Sequence, residues 1–254
     1  MKSMRDGRLV TLTLGRPNKL NAMDADEWRA LHHHIRAAED DQNVHAIVLR
    51  AEGRAFCAGN DIAAMSACRT RAQARAYFLD TMLPAFTAMA TTPLPIIAEV
   101  GGMALGGGVE LVQFCDLAVA ARSATFRLPE LRVGVWPTVF AGAAPYLGQR
   151  RLAQRLALTA RPISAEEARE ADLITHVADD ADLTATVAEI AAEVTAGARG
   201  ATGQAKRFAN RALVEQGLPA VRAALETMVE QTMFTAEYEA GVSGFTGRRE
   251  PADA

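Results

Sequence analysis

Cysteine is scarce in this sequence, which has three cysteines in 254 residues: Cys57, Cys68 and Cys115. The number is odd and no CxxC spacing occurs, so the sequence predicts neither a disulfide framework nor a zinc site. No apolar run approaches the roughly 18 residues of a membrane-spanning helix, and the first residues carry no apolar signal region. We therefore expect a protein of the reducing cytoplasm that does not cross a membrane.

An excess of charge of one sign is also lacking. Lys and Arg number 27 and Asp and Glu number 30, which gives a formal net charge of −3 at pH 7. A chain with this balance has no electrostatic reason to bind nucleic acid or an anionic membrane. We therefore expect no partner of either kind.

Several common ligand motifs are absent. There is no GxxxxGK(S/T) and no GxSxG, and the glycines do not fit GxGxxG after a strand, which excludes the usual phosphate loops and a serine nucleophile elbow. The run His32-His33-His34 does not predict a metal site, because consecutive positions on a helix point in different directions. The sequence therefore predicts no bound metal and no nucleotide cofactor.

The chain does contain an alternation of strand and helix patterns. Apolar or alternating runs predict strands, and Asp24 followed by Glu27 predicts the start of a helix. The predicted strands are residues 8–14, 44–50, 95–100 and 116–120. From residue 160 onward alanine-rich helical patterns dominate, and Ser164 is a candidate helix N-cap. This order is typical of an α/β core with a helical C-terminal part packed on it.

Two glycine-containing segments, Phe56–Asp61 and Ala104–Glu110, are the main candidates for a functional site. In the second, three glycines lead into a helical pattern, where the backbone can approach a ligand and the first N–H groups have no partner. Gly107 and Glu110 are three residues apart and share a helix face. This pattern predicts a place for a carbonyl oxygen that becomes negative, with a carboxylate beside it. The alternative is that the glycines only allow a helix to pack closely on a strand.

A second carboxylate of interest is Glu130, which follows Pro129 between a strand-like stretch and Gly134. Taken alone, an acid just after a proline is typical of the first turn of a helix and needs no chemical role. Two carboxylates in one apolar site are different, because their surroundings can separate the two pKa values and supply an acid and a base.

Taken in order, these segments resemble the crotonase superfamily, the enoyl-CoA hydratase/isomerase proteins, over essentially the whole chain. The matching segments are residues 16–23 (RPNKLNAM), 55–62 (AFCAGNDI), 95–98 (PIIA), 104–110 (ALGGGVE), 115–116 (CD), 126–130 (FRLPE), 161–168 (RPISAEEA) and 205–206 (AK). Each is weak alone, and together they are specific. The resemblance implies an α/β fold with a spiral of ββα units over residues 1–190. It also implies a helical trimerisation region over residues 191–254, assembled as a homotrimer or a dimer of trimers.

The resemblance also implies a chemistry. The substrate would be an acyl-CoA, with coenzyme A as part of the substrate and no separate cofactor. The backbone N–H groups of Asn60 and Gly107 would form an oxyanion hole that polarises the thioester carbonyl. Glu110 would orient and deprotonate a water molecule, and Glu130, protonated, would deliver a proton to the α-carbon. The expected reaction is hydration of a trans-2-enoyl-CoA to a 3-hydroxyacyl-CoA.

By the same resemblance, further residues are expected to line the substrate, mostly through their backbone. They are Lys19, Leu20, Ala55, Phe56, Ala58, Asp61, Ile62, Gly106, Pro129 and Trp136. Judged from its neighbours alone, Asp61 has the alternative role of capping local backbone groups. Two other functions stay open: a Δ3,Δ2-enoyl-CoA isomerase or another acyl-CoA enzyme of the family, and an acyl-CoA-binding protein without catalysis.

Three positions depart from the family pattern. Arg127 stands where a small residue is common, and a guanidinium close to Glu130 would favour the charged carboxylate and weaken it as a proton donor. The segment Thr138–Ala141 replaces a stretch with several glycines and is expected to reshape the acyl pocket. Glu99 occupies a position that is often small and apolar. The first two departures motivate the non-catalytic alternative.

Overall fold

The computed structural model describes residues 1–246, and the last eight residues of the predicted C-terminal region lie outside it. The strands are β1 (Lys2–Asp6), β2 (Leu9–Leu14), β3 (Ala46–Ala51), β4 (Ala55–Cys57), β5 (Ile96–Val100), β6 (Met103–Leu105), β7 (Leu117–Ala121), β8 (Thr125–Arg127), β9 (Ile163–Ser164) and β10 (His176–Ala178). The α-helices are α1 (Ala25–Asp40), α2 (Ile62–Ala67), α3 (Arg71–Tyr77), α4 (Leu83–Thr91), α5 (Gly107–Gln113), α6 (Thr138–Ala143), α7 (Arg150–Thr159), α8 (Ala165–Glu170), α9 (Leu183–Ala196), α10 (Arg199–Ala209), α11 (Leu218–Thr227) and α12 (Ala236–Thr246). Short 3-10 turns occupy Pro17–Lys19, Glu130–Val133 and Ala144–Leu147, and π-helical turns occupy Phe78–Met82, Leu213–Gly217 and Met228–Thr232.

Two mainly parallel sheets organise the chain. A six-stranded sheet has the order β1-β2-β3-β5-β7-β10, and a four-stranded sheet has the order β4-β6-β8-β9. Strands β3, β5 and β7 are neighbours in the first sheet, and the strands that follow each of them, β4, β6 and β8, are neighbours in the second. A helix or helical turn follows each pair. The chain therefore winds as a spiral of ββα units, and the predicted α/β class is confirmed.

The strands and helix starts predicted from periodicity are present. The first four residues of β3 are buried, as expected of a strand in the middle of a parallel sheet. Asp24 caps α1 by accepting hydrogen bonds from the backbone N–H groups of Asp26 and Glu27. Ser164 caps α8 in a reciprocal capping box with Glu167. Beyond residue 160 the two strands are only two and three residues long.

Other elements gave no signal in the sequence. Strand β1 is exposed at all five positions and has no apolar alternation. Strands β4, β6 and β8 have three residues each, which is too short for any period to be visible. Helix α4 buries most of its circumference, so its sequence lacks an amphipathic pattern. The unpredicted short strands are the ones that build the second sheet.

The C-terminal helices pack on the same chain that precedes them. Helix α11 packs against α6, and α12 packs against the 3-10 turn that begins at Glu130. One apolar core extends from β2 to α12. Helix α9 runs across residue 190, so the division into residues 1–190 and 191–254 stays a prediction. Within residues 1–246, no helix is both long enough and apolar enough to cross a bilayer.

Candidate active site

The second sheet brings the three candidate segments to one edge. Strands β4, β6 and β8 are parallel neighbours, and Asn60, Gly107 and Glu130 each follow the end of one of them within three residues. Because the carboxyl ends of parallel strands meet at the same edge of a sheet, the loops after them converge. The spiral therefore places one candidate group from each of three successive units side by side.

Two backbone amides lie next to each other at this edge. A Cβ built on Gly107 would lie 3.4 Å from the backbone nitrogen of Asn60, and one built on Gly59 would lie 2.7 Å from that of Gly107. Gly59 has φ +85°, so glycine is needed there both for the backbone conformation and for the close approach. Neither the Asn60 nor the Gly107 N–H donates a hydrogen bond to another residue of the described part. Two such donors can hold an oxygen on which negative charge develops.

The loop that carries Asn60 is fixed by side chains that the sequence did not single out for this role. The Asn60 Oδ1 accepts a hydrogen bond from the indole N–H of Trp28 at 3.0 Å, and the Tyr77 hydroxyl lies 3.2 Å from the same oxygen. Met23 donates its N–H to Gly59 at 2.8 Å. The signal that could have found Trp28 is general: a buried indole N–H needs an acceptor. The Asn60 side chain thus fixes the loop, while its backbone N–H takes no part in these bonds.

A second unpredicted support is Asn21, which is buried and has φ +55°. Its amide nitrogen donates to the carbonyls of Glu52 at 2.8 Å and Ala55 at 2.9 Å. Its Oδ1 accepts from the N–H of Arg16 at 2.9 Å. Asn21 therefore ties the 16–21 loop to both ends of the turn before β4.

Glu110 lies in the first turn of α5 and is only 3% exposed. Its Oε1 accepts a hydrogen bond from the backbone N–H of Phe140 at 3.0 Å. Burial raises the pKa of this carboxyl, and the N–H groups of Phe140 and Val139 lower it in part. Glu110 is therefore a buried acid whose charged form is stabilised by backbone donors of α6.

Glu130 opens the 3-10 turn after β8, and its Oε2 is buried with no hydrogen-bond partner in the described part of the chain. Its Oε1 is close to Gly106, where a Cβ would lie only 2.8 Å away. Burial, and after it the charge of Glu110, raise the pKa of Glu130. Two neighbouring buried carboxyls cannot both ionise at low cost, so the pair can hold one proton and act as an acid and a base.

The condition for an effect of Arg127 on Glu130, a guanidinium close to the carboxyl, is not met. The Arg127 Nε donates to the carbonyl of Ala160 at 2.8 Å, and no ion pair of Glu130 occurs among residues 1–246. The guanidinium is directed to the C-terminal end of α7 because the free carbonyl there is an available acceptor. The pKa of Glu130 is raised, which is the opposite of what a nearby guanidinium would produce.

The other two departures also have a place in the structure. The segment Thr138–Ala141 begins α6, and it supplies the N–H that binds Glu110. Glu99 lies on β5, where its Oε1 accepts a hydrogen bond from the hydroxyl of Thr184 in α9 at 2.8 Å. Thus one departure contributes to the site and the other joins a strand to a C-terminal helix.

The residues expected to line the substrate fall into two groups. The first lies around the loops after β2 and β4: Lys19, Leu20, Ala55, Phe56, Ala58, Asp61 and Ile62. The Ala58 N–H donates to the Leu20 carbonyl at 2.9 Å, which joins the two loops. Ala55 and Phe56 are buried in the core, which leaves their side chains no surface to offer a ligand. Asp61 caps α2 through the Ala63 N–H at 2.9 Å, as its capping alternative predicted.

The second group lies around the turn of Glu130. Gly106 is the residue before α5 and has φ +52°, and its N–H donates to the Arg127 carbonyl at 2.9 Å. Pro129 and Trp136 flank the 3-10 turn, and both are half-buried. The contacts of all these residues with a substrate remain predictions. No cluster of three or more His, Cys, Asp or Glu side chains suited to a metal ion occurs in the described residues.

Comparison with known proteins agrees with this architecture. Residues 5–252 match the sequence pattern of the enoyl-CoA hydratase/isomerase family. The short-chain-enoyl-CoA hydratase of Clostridium acetobutylicum is 32% identical over 212 residues, which are 82% of this chain and 80% of that protein. An enoyl-CoA hydratase/isomerase from Xanthobacter autotrophicus Py2 superposes with a TM-score of 0.87 at 27% identity, covering 99% of this chain and 98% of that one. One from Pseudoalteromonas atlantica T6c gives 0.85 at 27% identity, covering 100% and 99%.

A spiral of ββα units that ends in helices is a crotonase-type fold, and here it carries paired amides beside the buried Glu110 and the half-buried Glu130. The chain belongs to the enoyl-CoA hydratase/isomerase family. The recognised resemblance and the fold class are thereby confirmed.

Proposed function

We propose that this protein is an enoyl-CoA hydratase, which adds water across the 2,3 double bond of a trans-2-enoyl-CoA. The observation that carries the proposal is a pair of carboxyls with raised pKa values, the buried Glu110 and Glu130 with its buried Oε2, beside two backbone N–H groups that have no acceptor among residues 1–246. An isomerase needs one acid–base group to move a proton between carbons, whereas hydration uses a base for water and an acid for carbon. Two neighbouring acids, one able to act as the base and the other as the acid, therefore favour hydration over isomerisation.

The first part of the proposed mechanism concerns the thioester. Its carbonyl oxygen accepts hydrogen bonds from the N–H groups of Asn60 and Gly107. When a nucleophile attacks C3, electron density moves through the double bond onto this oxygen and an enolate forms. Donors that are already in place stabilise that charge without reorganisation, and one donor of this kind contributes about 2.7–4 kcal/mol.

The second part concerns water and protons. Charged Glu110 accepts a proton from a water molecule while the water oxygen bonds to C3. Neutral Glu130 gives its proton to C2, and the enolate electrons form the new C–H bond. The product is a 3-hydroxyacyl-CoA, and the proton now on Glu110 passes to Glu130 to restore the starting state. Water thus supplies the hydroxyl on C3, and the two glutamates together carry one proton before and after the reaction.

The test uses the purified protein with crotonyl-CoA and longer trans-2-enoyl-CoAs, and follows loss of the absorbance of the conjugated thioester. Glu110→Gln and Glu130→Gln should each lower kcat by about 10²–10⁴-fold, the range for loss of a general acid or base. Glu189→Gln is the matched control, because Glu189 is an exposed acid of α9. A folded protein that hydrates no enoyl-CoA of any chain length contradicts the proposal.

The alternatives give different outcomes in the same experiment. A Δ3,Δ2-enoyl-CoA isomerase would move the double bond without net addition of water, and its activity would survive Glu110→Gln but not Glu130→Gln. A non-catalytic relative would bind acyl-CoA tightly without turnover, and neutralising the two acids would not weaken binding. The non-catalytic alternative has lost one of its reasons, since Arg127 bonds to Ala160 rather than to Glu130.

We further propose that the protein works in the cytoplasm as a homotrimer or a dimer of trimers. This rests on family membership. Light scattering coupled to size-exclusion chromatography should give three or six times the mass of one chain, and the mass of a single chain at micromolar concentration contradicts the proposal.

A further inference from the structure

Near Glu110 lies a buried pair of amide side chains that have no role in the proposed mechanism. Gln113 and Gln149 are 5% and 7% exposed. The Gln113 Nε2 donates to the carbonyl of Phe140 at 3.3 Å and to the Gln149 Oε1 at 3.2 Å. The Gln149 Nε2 donates in turn to the carbonyl of Asp172 at 2.6 Å. These bonds form a chain from the turn after α8 to α6.

The orientation of the Gln113 amide follows from its neighbours. Its Nε2 faces two acceptor oxygens, and its Oε1 is buried without a partner in the described part of the chain. A flipped amide would set Oε1 against both oxygens and lose both bonds. A buried oxygen without a partner costs free energy, so an apolar side chain of the same shape would avoid this cost. An amide at this position therefore points to a use for its two hydrogen bonds.

Two side chains of α5 bind the backbone N–H and the backbone carbonyl of one residue of α6. The Phe140 N–H donates to the Glu110 Oε1 at 3.0 Å, and the Phe140 carbonyl accepts from Gln113. Glu110 and Gln113 are three residues apart, so they lie one turn apart on the same face of α5. A shift of α6 along α5 would break both bonds together.

We propose that Gln113 is a positioning residue for Glu110: it fixes Phe140 so that the N–H of Phe140 stays directed at the Glu110 carboxylate, while Gln149 holds Gln113. The proposal rests on the proposed function, in which charged Glu110 takes a proton from water. Gln113 touches neither the substrate nor the reacting atoms in this account, and its effect passes through the backbone of α6.

Loss of the Gln113 amide is expected to raise the pKa of Glu110. A less well directed N–H stabilises the Glu110 carboxylate less, so the pKa of Glu110 rises further. The groups that face Glu110 do not compensate: Thr138–Ala143 carries no charged residue, α5 carries none besides Glu110, and the 3-10 turn contributes Glu130 and the exposed Arg132. A base with a higher pKa is protonated at higher pH, so the acidic limb of the pH–rate profile moves upward.

The experiment compares Gln113→Met with wild type. Met has a similar shape and no donor, so we expect kcat for enoyl-CoA hydration at neutral pH to fall about 3- to 10-fold, as one lost hydrogen bond allows. KM should stay within about twofold, because the amides of Asn60 and Gly107 are untouched. Gln149→Met should give a smaller change in the same direction, since Gln113 keeps its bond to Phe140. Gln154→Met, on the exposed face of α7, is the matched control.

A second measurement separates this inference from the proposed function. The pKa of the Glu110 carboxyl is followed by ¹³C NMR or pH-difference infrared spectroscopy, with Glu110→Gln to assign the signal. A raised pKa in Gln113→Met without hydration by wild type would overturn the function and keep the positioning role. Hydration by wild type with kcat, pH profile and carboxyl pKa all unchanged in Gln113→Met would overturn the positioning role. If Gln113→Met does not fold, the same criteria apply to Gln149→Met.

Discussion

At the scale of single residues, Gly59 shows how closely the two loops of the site approach. A Cβ at this position would lie 2.7 Å from the Gly107 nitrogen and 2.8 Å from the Leu105 carbonyl, and the backbone has φ +85°. Gly148 has a similar φ of +73° but no atom within 4 Å of an added Cβ. Alanine substitutions at the two positions therefore distinguish the free-energy cost of a left-handed backbone from the added cost of a steric clash.

We expect Gly148→Ala to lower the free energy of unfolding by about 1–2 kcal/mol, the cost of a left-handed conformation for alanine. Gly59→Ala should lose roughly 3 kcal/mol or more, because a clash with backbone adds to the same strain. It should also lose hydration, since the amide pair must separate. Urea unfolding and the enoyl-CoA assay measure the two effects, and equal losses of stability in both variants would contradict this account.

Two buried tyrosines differ in whether their hydroxyl has a partner. The Tyr238 hydroxyl has none in the described residues, whereas that of Tyr77 lies 3.0 Å from the Met23 carbonyl and 3.2 Å from Asn60 Oδ1. Tyr238→Phe should leave the midpoint of thermal unfolding unchanged or raise it, because a buried unpaired group is removed. Tyr77→Phe should cost about 1–2 kcal/mol. A larger loss for Tyr238→Phe than for Tyr77→Phe would contradict the assignment.

At the scale of elements, the sequence predicted what periodicity and capping can show. The runs at residues 44–50 and 95–100 became β3 and β5, and Asp24 and Ser164 cap helices as expected. The strands of the second sheet could not be predicted from the sequence. They have two or three residues each, and their conformation depends on neighbouring strands rather than on local preference. The glycine segments pointed to the candidate site without revealing these strands.

One helix of the C-terminal part is joined to the core by an ion pair between a buried lysine and a half-buried aspartate. The Lys206 Nζ on α10 lies 2.6 Å from Asp116 Oδ2 and donates to the carbonyls of Met89 and Leu94 at 3.0 and 2.9 Å. These partners belong to the end of α4, the loop before β5 and the residue before β7. The pair therefore connects these elements to α10, and removing the cation leaves a half-buried carboxylate uncompensated.

We expect Lys206→Met to lower the free energy of unfolding by about 3–5 kcal/mol. Adding Asp116→Asn should recover part of this loss, because asparagine keeps an acceptor for the Ile96 N–H without the charge. Arg207→Met, at an exposed position of the same helix, should change stability by less than about 0.5 kcal/mol. Chemical denaturation measures all three, and additive effects of the two changes at the pair would contradict the coupling.

At the scale of the whole molecule, the acid pair links stability to pH. The pKa of Glu130 is raised above the ordinary value of 4.5, so the folded state binds the proton more tightly than the unfolded state. The stability from this proton is fully present below the unfolded pKa and is lost as pH rises through the raised folded pKa. Glutamine cannot ionise and avoids this loss.

We therefore expect Glu130→Gln to be more stable than wild type at alkaline pH by about 1–2 kcal/mol, with a difference that shrinks toward pH 5. The same variant should lose hydration, so stability and activity change in opposite directions. Thermal unfolding at several pH values measures this. Glu189→Gln is again the control, and a pH-independent difference for Glu130→Gln would contradict the raised pKa.

The candidate site as a whole was only partly predictable. The amides of Asn60 and Gly107 and the two glutamates follow from motifs that are local in sequence. Phe140, Gln113 and Gln149 do not, because they meet only when α6 packs on α5, and no local pattern records that contact. The direction of the Arg127 side chain could not be predicted for the same reason, since its acceptor is 33 residues further along the chain.

The stacked order β4-β6-β8 also bears on how such a protein can acquire new chemistry. The loop after β4 carries the amide of Asn60. Helix α5, which follows β6, carries the amide of Gly107 and the acid Glu110, and the turn after β8 carries Glu130. In the proposed mechanism, replacing Glu130 would alter proton delivery to C2 and leave the amides of Asn60 and Gly107 in place for the thioester oxygen. In the proposed mechanism, proton delivery can therefore change through the loop after β8 alone, while the loops after β4 and β6 keep the oxyanion hole.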